Sequence, residues 1–253
     1  MNWEIDLNCD MGEGVGNDAL IIPYVSSISI ACGGHAGNQE TIRQAIQLAK
    51  KANVSIGAHP SYPDRENFGR TKMDITYSSL HESLSSQLKI IQEIATEQNY
   101  PLVHLKPHGA LYNQAAIDPE LAQLIVSISK EMNPRWSIWG LPNSALEKIC
   151  AAQGVQFVRE GFADRSYQSD GSLTPRALPQ ALMETKEACV KQVMQMIKDR
   201  KVTALSGEEI DCNVATICLH GDGVHALTFA KALREEFKIQ DIHCKSPHGK
   251  SSS

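Results

Sequence analysis

Short apolar runs alternate with longer amphipathic segments along nearly all of this 253-residue chain, and that alternation restricts the fold more than any other feature. Residues 3–9, 27–32, 54–58, 102–106, 137–141, 157–162 and 215–219 read as strands. Helical periodicity fills the gaps. One helix opens at Asn38, a fitting N-cap, with Ile42, Ala45, Ile46 and Ala49 on one face. Others are expected over 77–98, after Asp118-Pro119, over about 179–198 and over 224–237. Such alternation predicts a parallel sheet covered by helices. About seven units in a chain of this length suit an α/β fold, a (β/α) barrel of the TIM type with seven strands, with a doubly wound open sheet as the runner-up. No linker rich in Pro or Gly divides the chain, so residues 1–245 are expected to form one domain, followed by a polar, disordered tail over 246–253.

Polar residues gather where those strands end. The first strand alternates, so Asp6, Asn8 and Asp10 share one face and Ile5, Leu7 and Cys9 the other. A polar face inside a barrel is unusual, because branched apolar side chains fill most interiors. The strand runs into Met11-Gly12-Glu13-Gly14. Later strands lead to His35, to His59 through Asp64 with Arg70 beyond, to Lys106 and His108 with Tyr112 and Asn113, to Asp164 and Arg165, and to His220 and Asp222. In parallel α/β folds the C-terminal ends of the strands carry the active site, so these clusters are expected to converge there. Singly, each histidine reads as a structural residue and each aspartate as a loop cap; the joint placement points to one site.

Composition narrows the chemistry. A hydrophobic share of 42% with 21% charged residues argues against disorder. The net charge of -5, with no basic stripe, excludes nucleic acid as an expected partner. No apolar run reaches bilayer length and the N-terminus does not read as a secretory signal, so no membrane association and a cytoplasmic location are expected. Seven scattered cysteines, none in a CxxC pair, read as buried thiols. No P-loop, GxGxxG fingerprint or GxSxG elbow occurs. A divalent metal is an open alternative, with Asp10, His35 and His59 as candidate ligands drawn from separate strands.

Seven stretches, in order, resemble the LamB/YcsF family: residues 6–13 (DLNCDMGE), 30–37 (IACGGHAG), 57–64 (GAHPSYPD), 68–70 (FGR), 106–113 (KPHGALYN), 162–167 (FADRSY) and 218–222 (CLHGD). Members of that family are identified as the A component of ATP-dependent 5-oxoprolinase. The resemblance implies a barrel related to the glycoside hydrolase/deacetylase superfamily. It implies cleavage of 5-oxo-L-proline to L-glutamate with ATP as co-substrate, alongside two partner subunits, B and C. Gly34 stands where the family often has an aromatic residue, and Gly223-Val224 where it often has Thr-Pro.

On that reading Asp10, His59, Lys106, His108 and Asp222 are the expected catalytic residues. Asp6, Asn8, Glu13, His35, Asp64, Arg70, Tyr112, Asn113, Asp164, Arg165 and His220 are expected to bind substrate. Lys106, Arg70 and Arg165 would face a carboxylate or phosphoryl group, unless the arginines are spent on salt bridges to Glu13, Asp64 or Asp164. Asp10, His59, His108 and Asp222 would move protons or hold the metal. ATP is expected to be bound largely by the partners or in a shared site. The alternative is a stand-alone metal-dependent deacetylase or amidohydrolase acting on a sugar or amide.

Overall fold

The computed structural model describes residues 3–249. Seven parallel strands close into a barrel in the order β1 (Trp3–Met11), β2 (Ser27–Ala31), β3 (Ser55–His59), β4 (Leu102–Leu105), β5 (Ser137–Gly140), β6 (Phe157–Phe162) and β9 (Thr216–His220), with β9 pairing back onto β1. An antiparallel ribbon, β7 (Lys201–Thr203) and β8 (Glu209–Asp211), stands apart, and β10 (Ile242–Cys244) extends the sheet beside the start of β1. The seven barrel strands match the expected runs to within a residue or two.

The helices form as their caps dictate. The Asn38 side chain accepts from the amides of Glu40 and Thr41, opening α2 (Gln39–Ala52). Thr76 caps α3 (Tyr77–Glu97), and Asp118 caps α5 (Pro119–Met132) with Pro119 in the first turn, where its missing N–H costs nothing. Their apolar faces cover the outside of the barrel, with Ile42, Ile46, Leu84, Leu88, Ile91, Leu121 and Ile125 all buried. Short helices α1 (Asp18–Ile21), α4 (Gly109–Ala115) and α6 (Ala145–Ala152) were not read from the sequence. The last helix, α8, spans Ala226–Ile239, two residues later than expected.

One helix differs more. The segment expected to be helical from 179 instead starts α7 at Lys186, behind an N-cap at Thr185 (Lys186–Asp199). Residues 165–182 fold as a loop over the barrel mouth, tied by bridges between Arg165 and Leu182 and between Tyr167 and Leu173. Buried Arg165 holds the loop by donating to the carbonyls of Thr174 (2.5 Å) and Ala181 (3.4 Å).

Below the site the barrel interior is also polar. His104 stacks flat on Trp139, ring centroids 3.6 Å apart, and its Nε2 faces Ser29 Oγ at 3.1 Å. Gly57 on β3 makes room: a Cβ there would lie 2.2 Å from the imidazole. At the same end Ser137 Oγ contacts His248 Nε2 at 3.0 Å and Ser246 is buried. Ser246 and His248, within the segment expected to be disordered, are therefore held against the barrel, while Pro247 and Gly249 are exposed and residues 250–253 lie outside the described residues.

Candidate active site

The floor of the barrel mouth is an ion cluster built from three strands and the residue that follows a fourth. Lys106 Nζ lies 2.6 Å from Asp10 Oδ1 and 3.0 Å from Glu160 Oε1, and donates to Asn8 Oδ1 at 2.9 Å. Cys218 Sγ of β9 lies 3.3 Å from the same ammonium. All of these residues are buried. A desolvated ammonium persists only because two carboxylates surround it. Burial alone would depress the Lys106 pKa, yet Asp10, Cys218 and Glu160 hold it well above its ordinary value. Burial would likewise raise Asp10, but His59 and then Lys106 keep its carboxyl well below the usual range.

Beside this cluster two histidines face each other. His59 Nδ1 points at the Lys106 carbonyl (2.8 Å) and His108 Nε2 at the Phe68 carbonyl (2.9 Å), so both nitrogens are donors. The remaining pair, His59 Nε2 and His108 Nδ1, lie 2.9 Å apart. Asp10 Oδ2 lies 3.3 Å from His59 Nε2. His35 stacks on His108 at 3.6 Å and its Nε2 lies 3.2 Å from Glu13 Oε1. Burial, then His59, drives the His35 pKa down to about 2; burial with His35 and His59 depresses His108 as well. Burial, then Asp10, pushes Glu13 up.

One ligand atom each from Glu13, His35, His59 and His108 lies within 4.8 Å of the others. Neutral imidazoles and a carboxylate are zinc-type donors. The separations of 2.9, 3.2 and 3.8 Å among them bracket the roughly 3.4 Å between ligands of a tetrahedral ion. These residues therefore fit a divalent metal. Asp10, Cys218 and His220 form a second group of the same kind.

A cavity of about 620 Å³ opens above the floor. Asp10, His59, Arg70, Lys106, His108, Tyr112, Asn113, Arg165 and His220 line it. Glu13 and His35 stand behind His108, and Asn8 lies beneath Lys106. Asp164 grips His220 Nδ1 at 2.9 Å. Asp222 is ion-paired with Arg70 and lies 3.8 Å from Arg176.

Two expected substrate ligands are placed elsewhere. Asp6 sits deeper in the barrel, where its carboxylate accepts from Ser26 (2.6 Å), Ser27 (2.8 Å) and Thr216. Asp64 Oδ1 closes its own turn by accepting from the Asn67 amide and side chain at 3.1 and 3.0 Å. The arginines also differ from expectation. Arg70 is spent on Asp222 rather than on Glu13 or an earlier aspartate, and the Arg165 guanidinium serves loop carbonyls.

Glu160 and Arg176 line the cavity although sequence reasoning did not select them. Glu160 had a signal: a charged residue on the inward face of β6, in register with Thr216 of β9. Arg176 had none, being a loop residue without periodicity. Gly34, the departure from the family pattern, lies against the Gln87 amide: a Cβ there would come within 2.5 Å of Gln87 Oε1. Gln87 in turn bonds the Ser61 backbone at both ends, so an aromatic side chain at Gly34 would have to displace it.

The pattern that defines the LamB/YcsF family matches residues 5–252. This chain belongs to the LamB/YcsF family. A lactam utilization protein from Thermus thermophilus is similar over 96% of this chain and 99% of its own, at 33% identity and a TM-score of 0.88. A putative cellobiose-phosphate cleavage protein from Enterococcus faecalis shares the fold at 12% identity and TM-score 0.60, covering 97% of each chain. The catalytic domain of a peptidoglycan N-acetylglucosamine deacetylase from Eubacterium rectale does so at 13% identity and TM-score 0.53, over 100% of this chain and 92% of that one. The LamB/YcsF barrel thus shares its architecture with deacetylase-like barrels. Among the described residues no helix is long and apolar enough to cross a membrane.

Proposed function

We propose that this chain is the lactam-binding subunit of an ATP-dependent 5-oxoprolinase, acting with two partner subunits, B and C. Family membership and likeness to the Thermus lactam utilization protein support a lactam-related role and a hydrolase of amide or lactam bonds. The observation that carries the reading is the floor of the cavity, a charged lysine between two carboxylates next to two histidines whose ring nitrogens lie 2.9 Å apart.

A lactam resists water because its amide is resonance-stabilised. Phosphorylation of the ring carbonyl oxygen by ATP would make the ring carbon electrophilic. Lys106 is placed to stabilise negative charge on that oxygen, and the His59–His108 pair to exchange a proton with the attacking water. Arg176 is the cavity's least committed cation: Arg70 is bound to Asp222, Arg165 to carbonyls and Lys106 to the buried acids, whereas Arg176 reaches Asp222 only at 3.8 Å. It would receive the carboxylate of 5-oxoproline. ATP would be held by the partners or in a shared site. Should a metal bind, Glu13, His35, His59 and His108 would hold it, and it would supply polarisation of the amide carbonyl.

The test is 5-oxoproline-dependent ADP release by the purified chain with and without the partner proteins. Release that needs all three is expected, and a drop of at least a hundredfold for Lys106→Ala. No release in the reconstituted mixture would sink the reading. The four-residue donor cluster supports a second reading, a stand-alone metal-dependent amidohydrolase. Stoichiometric zinc by elemental analysis, together with ATP-independent turnover of an amide, would favour it.

A further inference from the structure

Opening a lactam takes two proton transfers. The attacking water loses one proton, and the departing nitrogen must gain one, because an amine does not leave as its anion. The His59–His108 pair serves the water. A separate pair, Asp164 and His220, is free to serve the nitrogen. His220 is the last residue of β9, on the same face as Cys218 and in register with Asp10 of β1. Its Nδ1 lies 2.9 and 3.1 Å from the two Asp164 oxygens, and its backbone N–H donates to Asp164 Oδ2 at 3.1 Å. A carboxylate only accepts, so the neutral ring keeps its proton on Nδ1 and the lone pair on Nε2. Among the described residues Nε2 has no hydrogen-bond partner. The His220 side chain is 13% exposed and lines the cavity. Phe162 stacks against the ring, centroids 5.5 Å apart, so ring plane and tautomer are both set.

The surroundings suit a second proton on that ring. An imidazolium there would have Asp164 at Nδ1, and a ring nitrogen of His220 lies within 4.8 Å of Asp10 and Cys218. A divalent ion suits the same place less well. Lys106 Nζ, 2.6 Å from Asp10 Oδ1 and 3.3 Å from Cys218 Sγ, already supplies positive charge to those two residues and would repel it. Substrate geometry agrees. The oxygen and nitrogen of an amide share one carbon, so the groups that serve them must be neighbours. Lys106 and His220 both meet Asp10 and Cys218. We infer that Asp164 and His220 form the proton-donating dyad of ring opening, His220 Nε2 giving its proton to the lactam nitrogen as the carbon–nitrogen bond breaks. The electron pair of that bond stays on nitrogen, and Nε2 regains a proton from cavity water. His220 is the catalytic residue; Asp164 is a positioning residue that orients the ring and balances its charge. This deepens the lactam reading above and rests on it.

The test separates activation from opening. With the partner proteins, ATP and 5-oxo-L-proline, ADP reports the first and L-glutamate the second. His220→Asn keeps a side-chain nitrogen for Asp164 but lacks Nε2. It is expected to lower glutamate formation about a hundredfold or more. ADP formation should fall far less, because a phosphorylated lactam that fails to open loses its phosphoryl group to water and returns as lactam. The ratio of glutamate to ADP therefore drops at least tenfold. Asp164→Asn should lower the same ratio, and it decides the matter if His220→Asn fails to fold. Unchanged rates, or equal losses of both products, overturn the dyad alone. Wild-type complex that forms neither product overturns the lactam reading, and the dyad with it.

Discussion

Asp6 and Asp10 lie on the same face of β1, yet their surroundings push their carboxyls in opposite directions. Asp10 meets Lys106 and His59 and stays ionised. Asp6 meets only hydroxyls, and burial lifts its pKa to about 6 despite bonds from Ser26, Thr216 and Ser27. In the unfolded chain it returns to its ordinary value of 3.8. Between those two values the folded state holds the extra proton, so its contribution to stability is full below about pH 4 and is lost as pH rises to about 6. A shift of this size corresponds to about 3 kcal/mol. Urea unfolding of Asp6→Asn across pH 4 to 7 should show that loss removed, with the variant gaining on wild type as pH rises. Parallel curves for the two proteins would refute the assignment. The sequence made the shared face of these residues plain. It did not reveal depth: four residues along a strand is roughly 13 Å, enough to part a residue under the cavity from one in its wall. Glu160 escaped notice for a related reason, since its partners Lys106 and Asn8 are supplied by other parts of the barrel.

At the level of elements, strands and long helices were legible because periodicity and caps are local. Asn38, Thr76 and Asp118 each sit where their helices start. The loop over 165–182 was not legible, because its conformation depends on one buried guanidinium reaching carbonyls 9 and 16 residues ahead. That loop carries Arg176 and the cavity walls at Leu173 and Pro175. Arg165→Ala should free it: limited proteolysis is expected to cut within the loop at least tenfold faster, while the far-ultraviolet spectrum of the barrel stays unchanged. Wild-type cleavage rates would show that the loop is held by something else. The same dependence explains why Arg165, read from the sequence as a substrate ligand, acts here as a strut.

For the whole molecule, β1 is the keystone of closure. It pairs with β2 through Asn8–Ser27 and with β9 through Asn8–Cys218, so Asn8 belongs to ladders whose partners lie 19 and 210 positions away. Without β9 the barrel is an open sheet with two unpaired edges. A chain ending at Asp211 should therefore lose the cooperative unfolding transition and self-associate, as sedimentation and circular dichroism would show. A monomeric fragment that unfolds cooperatively would contradict this. A ribosome adding about 5–20 residues per second leaves β1 waiting roughly 10–40 s for β9 to emerge. Throughout that interval the nascent strand displays Asp6 and Asp10 on one face, two negative charges that discourage pairing with stray strands. Asp10, which later lines the mature pocket, thus has an earlier use as a charge that keeps the nascent strand apart from others.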